Sequence, residues 1–166
     1  MEKARQYTHI PFDPKVSAGS IDQLLFQAPS YNDRHTKAFV PQMKEAGYGR
    51  ILFQASMTSM IGQPQVSGYA TAKAGYLGLV HTLTAELAQF GITVNAIAPG
   101  WIDTPMFRKA TSGDERRLEK ILSRIPAGHI GGPMDIGMCA VFLCSKAASY
   151  INGACIPVDG GALIGF

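Results

Sequence analysis

A chain of 166 residues, 46% of them hydrophobic and 16% charged, is long enough for one globular domain with a buried core, which argues against disordered and fibrous classes. The net charge of +3 comes from 15 basic and 12 acidic residues scattered along the sequence, so we expect neither a nucleic-acid nor a membrane partner. Without a signal-peptide core or a bilayer-length apolar segment, a soluble cytoplasmic protein is the default expectation.

The first part of the chain combines an irregular start with a helix. Residues 1–20 are rich in Pro, Gly and Ser and predict an irregular lead-in, so the domain itself is expected over 21–166. A short apolar stretch, Ile21–Phe26, precedes a helix expected over residues 29–46, with glycines after it as stop signals.

Three buried-strand patterns alternate with helical patterns further along. Strands are expected at Arg50–Ser56, Ile92–Pro99 and Ala154–Gly161, and helices at Tyr69–Phe90, Asp103–Arg124 and Met134–Ser145. This alternation predicts an α/β fold, in which a parallel sheet with right-handed crossovers carries helices on its faces.

The three cysteines, Cys139, Cys144 and Cys155, lie in apolar segments and lack the histidine spacing of a zinc site. Free cysteine is among the most frequently buried residue types. We therefore expect three unpaired core residues and no metal site.

A phenol and an ammonium group share one face of the long helix. Tyr69 and Lys73 are four residues apart, so their side chains emerge one helical turn from each other. A nearby ammonium favours the ionised form of a phenol, which makes the tyrosine a feasible general acid/base for carbonyl reduction. Ser56 and the turn at Pro99 and Gly100 end two strands, and ligands of parallel sheets bind at such carboxyl ends.

These features make the chain resemble the short-chain dehydrogenase/reductase family. The family's GRIVNISS, Y-x-x-x-K, N-x-x-x-PG-x-I-x-T and VDGG segments have counterparts here in GRILFQAS, YATAK, NAIAPGWIDT and VDGG, in the same order and together with IPAGHIGGP. The resemblance covers residues 49–164 and is strongest to oxoacyl-carrier-protein reductases and sugar or polyol dehydrogenases. It implies a Rossmann-like fold and a nicotinamide cofactor, either NAD or NADP.

The resemblance also implies roles for individual residues. Tyr69 resembles the proton donor to the carbonyl oxygen, Lys73 the residue that holds the nicotinamide ribose, and Ser56 the hydroxyl that orients the substrate carbonyl. Four further residues resemble the turn that holds the nicotinamide ring: Pro99, Gly100, Ile102 and Thr104. The segment 103–124 resembles the family's substrate lid.

Compared with the family, the chain is expected to lack the N-terminal half of the fold. It starts where the family's fourth helix starts, and no G-x-x-x-G-x-G occurs between Met1 and Ala28. In the family, that Gly-rich turn cradles the pyrophosphate and the same region selects between NAD and NADP. The family's relay asparagine corresponds to Ala28, and Asn32 lies one turn further along.

Two functions are open at this point. The first is an oxidoreductase that transfers hydride between NAD(P) and a small secondary alcohol or ketone, with Tyr69 as acid/base. The second is a non-catalytic remnant or oligomerisation module that cannot bind the dinucleotide by itself. The resemblance implies a homo-oligomer formed through the helices at 29–46 and 69–90 and the C-terminal strand.

Overall fold

The computed structural model describes residues 36–164, so the expectations for 1–20, for Ile21–Phe26 and for Asn32 lie outside the described residues. The described part of the first helix, α1, covers residues 36–46. The other elements are β1 (Gly49–Gln54), α2 (Ser67–Leu87), β2 (Ile92–Pro99), α3 (Pro105–Thr111), α4 (Glu115–Leu122), α5 (Pro133–Cys144) and β3 (Cys155–Val158). No helix within 36–164 is long and apolar enough to cross a lipid bilayer.

β2 is the central strand of a three-stranded parallel sheet in the order β1-β2-β3. On one edge Val94 is in register with Ile51 of β1, and on the other Ile97 is in register with Ile156 of β3. Residues 92–98 are all buried, because a central parallel strand with helices on both faces of the sheet has no face exposed to solvent. The predicted α/β fold with a parallel sheet and flanking helices is confirmed.

Helices cover both faces of this sheet. On one face, α1 and α2 pack over a cluster that includes Phe53 and Val94, and the rings of Phe53 and Tyr76 stack 5.5 Å apart. On the other face, Leu143 of α5 packs with Ile97. The two clusters use alternate residues of β2, since successive side chains of a strand point to opposite faces. Full burial of each such side chain contributes roughly 1.5–3 kcal/mol.

The segment Asp103–Arg124, expected as one helix, is two helices in the structure. Thr104 caps α3 by accepting a 3.2 Å hydrogen bond from its backbone, and Asp114 caps α4 by accepting one of 2.9 Å. Between the two helices, Gly113 has a φ of +76°, a conformation that costs glycine little. The expectation of one continuous helix was wrong because a glycine turn and a new helix cap interrupt its period.

The cysteines are all free, but they are not all core residues. Cys139 and Cys155 are half-buried, and this burial raises the pKa of both thiols. Cys144 is exposed, so the expectation of a core position is wrong for this residue. Its neighbour Leu143 takes the sheet-facing position at this end of α5.

Two asparagines connect β2 to the segment before β3. The buried Asn95 side chain donates a 2.8 Å hydrogen bond to the Ile151 carbonyl and accepts one of 2.9 Å from the Ala154 N–H. From the other segment, the Asn152 side chain reaches back to β2, where its Oδ1 accepts a 2.7 Å hydrogen bond from the Val94 N–H. This asparagine clamp, formed by Asn95 and Asn152, satisfies backbone groups that the short β3 leaves without a strand partner.

Two apolar surfaces stay uncovered within residues 36–164. A groove of about 230 Å³, the β1 groove, lies at the outer edge of β1 and is walled partly by Phe39 and Met43. The second surface, the α5 stripe, is the outer side of α5 and consists of Met134, Met138, Val141 and Phe142. Met134 and Val141 are 72% and 66% exposed. Apolar surfaces of this kind mark sites where another polypeptide or ligand packs.

Replacing Gly91 with alanine is expected to destabilise the protein by roughly 2–4 kcal/mol. Gly91 has a φ of +73°, and an added Cβ would collide with the carbonyl oxygen of Gly47. The free energy of unfolding in urea measures the effect. Gly78→Ala is the matched control, because a Cβ there meets open space on α2, and alanine favours the helix by up to about 1 kcal/mol. Equal effects of the two substitutions would contradict this account of Gly91.

Replacing Asn95 with leucine should cost about 2–4 kcal/mol of unfolding free energy, because a carbonyl and an N–H group of the 151–154 segment lose their buried partners. The same urea titration measures it. Ile97→Val, which removes one methylene from the same strand, serves as the control and should cost about 1 kcal/mol. A loss no greater than that of the control would show that the clamp contributes little.

Candidate active site

Ser56 lies just beyond the carboxyl end of β1. It is 8% exposed and begins a 3-10 turn, Met57–Ser59. Its Oγ accepts a hydrogen bond from the Thr58 N–H group (3.2 Å) and shares a second one with the Thr58 hydroxyl group (3.0 Å). Its own N–H donates to Ser59 Oγ at 3.3 Å. These bonds fix the Ser56 hydroxyl at the edge of the sheet where ligands of parallel α/β folds bind.

Tyr69 and Lys73 lie in the first two turns of α2. The Lys73 Nζ atom is 5.9 Å from the centre of the Tyr69 ring, in keeping with their four-residue spacing. The same Nζ donates a 2.7 Å hydrogen bond to the backbone carbonyl of Gln54, the last residue of β1. Lys73 thereby connects the start of α2 to the strand end beside Ser56. Tyr69 is 44% exposed, so its ring is accessible from solvent.

The Lys73 ammonium group is half-buried, and loss of hydration lowers its pKa from the ordinary value of 10.5. Two contacts offset part of this cost: the hydrogen bond to the Gln54 carbonyl, and the Tyr76 ring, whose centre lies 5.2 Å from Nζ. Among the described residues no hydrogen bond joins the side chains of Tyr69 and Ser56. Lys73 is therefore close to the Tyr69 ring and bonded to the end of β1, while the Tyr69 and Ser56 hydroxyl groups are not bonded to each other.

The loop after β2 is packed against the end of β3. The Gly100 N–H donates a 3.0 Å hydrogen bond to the Val158 carbonyl. Gly100 also lies so close to Asp159 that an added Cβ would be 2.7 Å from the Asp159 Cα. Ile102 pairs with Gly131 in an isolated parallel bridge. The backbone of the loop is thus fixed at the carboxyl end of β2, one strand away from β1.

Both ends of this loop are anchored. Pro99 is the last residue of β2, and Thr104 is the cap of α3, with its Oγ accepting from the Phe107 N–H. The Asp103 carboxylate and the Arg108 guanidinium form a bidentate pair at 2.6 and 2.7 Å on the exposed side. The pair lowers the pKa of Asp103 and raises that of Arg108. The four residues expected to hold the nicotinamide ring therefore belong to one well-anchored loop.

An open cleft of about 450 Å³ borders the loop on the β3 side. Trp101 and Ile102 form part of its wall, and His129, Asp135 and Asp159 supply polar groups. Its volume is typical of small-molecule sites. Neither the serine nor the tyrosine and lysine described above line this cleft, so it lies beside the candidate catalytic groups and does not contain them.

Two residues at this edge, Asp159 and Thr58, had no role predicted from the sequence. The Asp159 carboxylate accepts hydrogen bonds from the N–H groups of Gly161 (3.0 Å) and Leu163 (2.8 Å), and so shapes the turn after β3. An aspartate before two glycines is a turn signal that could have indicated this role. The second residue is Thr58, whose only signal in the sequence is a hydroxyl two positions after Ser56.

The described edge falls within a region shared with a known family. A family model described as enoyl-(acyl carrier protein) reductase matches residues 34–162, which is most of the chain. The chain belongs to the short-chain dehydrogenase/reductase family. The resemblance carried by the GRILFQAS, YATAK and NAIAPGWIDT segments is thereby confirmed.

Curated relatives in the short-chain dehydrogenase/reductase family are similar over the same part of the chain. A 3-oxoacyl-[acyl-carrier-protein] reductase of Thermotoga maritima is 40% identical over 129 residues, which are 78% of this chain and 51% of the relative. A 2-dehydro-3-deoxy-D-gluconate 5-dehydrogenase of Bacillus subtilis is 46% identical over 121 residues, 73% of this chain and 47% of the relative. The chain therefore spans about half the length of the curated relatives that it matches.

A solved structure is likewise matched over only part of its length. The gluconate 5-dehydrogenase of Burkholderia cenocepacia, in complex with NADP and tartrate, superposes with a TM-score of 0.83 at 27% identity. The superposition covers 93% of this chain and 59% of that protein. The described residues thus have the α/β fold of part of the family's Rossmann-like domain, as the sequence predicted.

The burial of Lys73 predicts a pH-dependent contribution to stability. In the folded protein the pKa lies below the ordinary value of 10.5, so between the two values the unfolded chain binds more protons at this site. Unfolding free energy at this site therefore rises with pH within that window. Compared with Lys73→Met, the wild type should gain relative stability as pH increases from neutral towards 10.5 in urea titrations at several pH values.

Lys146→Met is the control for this pH series, because Lys146 is exposed in the turn after α5. A stability difference for Lys73→Met that follows this control at every pH would contradict the lowered pKa of Lys73.

Proposed function

We propose that the protein is an NAD(P)-dependent oxidoreductase that transfers hydride between the nicotinamide cofactor and a small secondary alcohol or ketone. The observation that carries the proposal is the double contact of Lys73. Its Nζ lies 5.9 Å from the Tyr69 ring and donates a hydrogen bond to the Gln54 carbonyl, two residues before Ser56. One cation thus lies near the Tyr69 ring and at the strand end that leads to Ser56, on the edge where a parallel sheet binds ligands.

The residues at this edge fit the nicotinamide end of the cofactor. Lys73 uses one of its three N–H donors on Gln54, so two remain for hydroxyl groups such as those of a ribose. The anchored loop after β2 gives the flat ring a fixed wall. The residues that would hold this end are Tyr69, Lys73, Pro99, Gly100, Ile102 and Thr104. When bound, the cofactor supplies or accepts the hydride.

The chain's own residues supply the proton chemistry. In the direction of reduction, Tyr69 gives its phenolic proton to the carbonyl oxygen while the carbon receives the hydride, and the reverse direction uses the phenolate as base. Ser56 donates a hydrogen bond to the same oxygen and so fixes its position. The positive charge of Lys73 stabilises the phenolate that remains on Tyr69.

The names of the relatives support a choice of substrate class. They are reductases of an oxoacyl carrier protein and dehydrogenases of sugar acids, and these substrates share a ketone or secondary alcohol near a polar or acidic group. We extend this class to the present chain. The complex of the Burkholderia cenocepacia protein supports NADP as the first cofactor to test, with NAD beside it.

A second candidate function is a non-catalytic remnant or oligomerisation module. The specific observation in its favour is the pair of uncovered apolar surfaces, the β1 groove and the α5 stripe. Within residues 36–164 the outer edge of β1 has no strand partner, and an unpaired edge strand is a template for association. We propose a homo-oligomer formed through α1, α2 and the C-terminal strand for either function.

Titration of the purified chain with NADPH and NADH, followed by nicotinamide fluorescence, tests cofactor binding. We expect saturable binding at micromolar concentrations that weakens at least about tenfold in Lys73→Ala, because the ribose loses charge-assisted hydrogen bonds. Turnover of a panel of ketones and oxo acids should fall roughly 10²–10⁴-fold in Tyr69→Phe, which removes the proton donor. Lys146→Ala, a surface lysine away from the site, is the control and should behave as wild type.

The outcomes separate the two candidate functions. Binding without any difference between Lys73→Ala and Lys146→Ala would contradict the proposed site. No binding at millimolar cofactor, together with a defined oligomer in light scattering, would favour the non-catalytic module. A monomeric light-scattering profile would contradict the proposed oligomer whatever the cofactor result.

A further inference from the structure

The Ser56 hydroxyl oxygen lies within hydrogen-bond distance of two groups of Thr58. Its Oγ accepts the Thr58 N–H at 3.2 Å and lies 3.0 Å from Thr58 Oγ1. A serine oxygen has two acceptor lone pairs and one proton. If both contacts are donated by Thr58, both lone pairs are occupied, and only the serine proton is left to interact with a ligand.

The surroundings of Thr58 favour that direction of donation. Thr58 is 7% exposed, in the middle of the 3-10 turn Met57–Ser59. Within residues 36–164 the Thr58 hydroxyl has a hydrogen bond only to Ser56 Oγ. A buried hydroxyl that does not donate pays the desolvation of its proton, so the Thr58 proton is best placed on the serine oxygen.

The turn holds the two residues in this relation. The Ser56 N–H donates to Ser59 Oγ at 3.3 Å, which fixes the serine backbone at the start of the turn. The adjoining Met57 is 4% exposed and packs in an apolar cluster with Ile121 and Ile125. The turn is therefore anchored on both sides, and the Ser56 oxygen has little freedom to find other donors.

We propose that Thr58 is a positioning residue, which makes Ser56 a dedicated hydrogen-bond donor to the substrate oxygen by filling both of its acceptor sites. The inference rests on the proposed function, in which Ser56 contacts the carbonyl that receives the proton from Tyr69. Accepted hydrogen bonds polarise a hydroxyl and strengthen the one that it donates. The Thr58 hydroxyl thereby keeps the Ser56 proton directed at the ligand and does not touch the ligand itself.

The opposite arrangement makes the opposite prediction. If the Ser56 proton pointed at Thr58 Oγ1, a ligand would have to compete with the threonine for it. Removal of the threonine hydroxyl would then release the proton and raise turnover, or leave it unchanged. The sign of the effect on kcat therefore separates the two arrangements.

Thr58→Val keeps the shape of the side chain and removes its hydroxyl, and Thr58→Ser restores a hydroxyl with one methyl fewer. With a ketone that the wild type reduces, kcat should fall roughly tenfold in Thr58→Val, the size of one buried hydrogen bond. Thr58→Ser should recover most of that loss. KM should change less than kcat, because the aligned serine proton matters most when negative charge develops on the oxygen.

Thr71→Val is the matched control for the loss of a threonine hydroxyl. Thr71 Oγ1 donates to the Ser67 carbonyl on the exposed side of α2, so this variant should keep wild-type kcat. An unchanged or raised kcat in Thr58→Val would overturn the proposal. An equal fall in Thr58→Val and Thr58→Ser would also overturn it, since packing and not the hydroxyl would then be responsible.

Proton NMR of the purified chain decides the hydrogen-bond direction without any turnover. A buried, donating hydroxyl exchanges slowly with water, so a slowly exchanging Thr58 hydroxyl signal is expected, together with a Thr58 amide signal that shifts in Ser56→Ala. A slowly exchanging Ser56 hydroxyl that disappears in Thr58→Val would overturn the proposal, as would a Thr58 amide unaffected by Ser56→Ala. If the wild type reduces no ketone, the proposed function fails, and the NMR result still judges the role of Thr58.

Discussion

The pairing of β2 with a parallel strand on each of its edges positions Ser56 and the loop after β2. Because the three strands run in the same direction, the turn that starts at Ser56, the loop after Pro99 and the turn at Asp159 all leave the sheet at one edge. Residues 92–98 of β2 are all buried and hold these strand ends in place. A shift of β2 by one residue would turn its buried side chains to the wrong faces and displace all three segments together.

The charge of Lys73 is held between two opposing requirements. In the proposed mechanism the ammonium must be shielded enough from water to act on the Tyr69 phenol, since charges interact more strongly when water is excluded. It must also stay protonated, which burial opposes. The Gln54 carbonyl is a neutral acceptor and so meets both requirements of that mechanism, whereas a carboxylate in its place would neutralise the lysine charge. This explains physically why the lysine is anchored to the backbone of a strand end.

The sequence predicted the relative positions of the candidate site residues where local spacing decides geometry. Four-residue spacing placed Tyr69 and Lys73 together, and apolar runs located all three strands. It failed where a single residue redirects the chain, as at Gly113, which splits the expected helix. The prediction of a core position for Cys144 also failed, because the apolar residues around it do not indicate which side of α5 faces the sheet.

The part that could not be predicted depends on contacts between residues distant in sequence, or on the direction of one proton. Nothing in the pattern indicates that Asn95 bonds the backbone near residue 151, because the pairing spans 56 residues. Thr58 is close to Ser56 in the chain, but only the geometry of the turn shows that its N–H and its hydroxyl both lie within hydrogen-bond distance of the same oxygen.

The asparagine clamp also has a consequence for the order in which the chain folds. Its hydrogen bonds join residues that are 56 to 59 positions apart in the sequence, so they form only after a long loop has closed. Non-local contacts of this kind form slowly. Until then, one edge of ITVNAIAP is unpaired, and this uncharged stretch, rich in β-branched residues, resembles segments that aggregate. During refolding, the docking of β3 therefore competes with association between chains. The yield of refolded protein should fall as protein concentration rises.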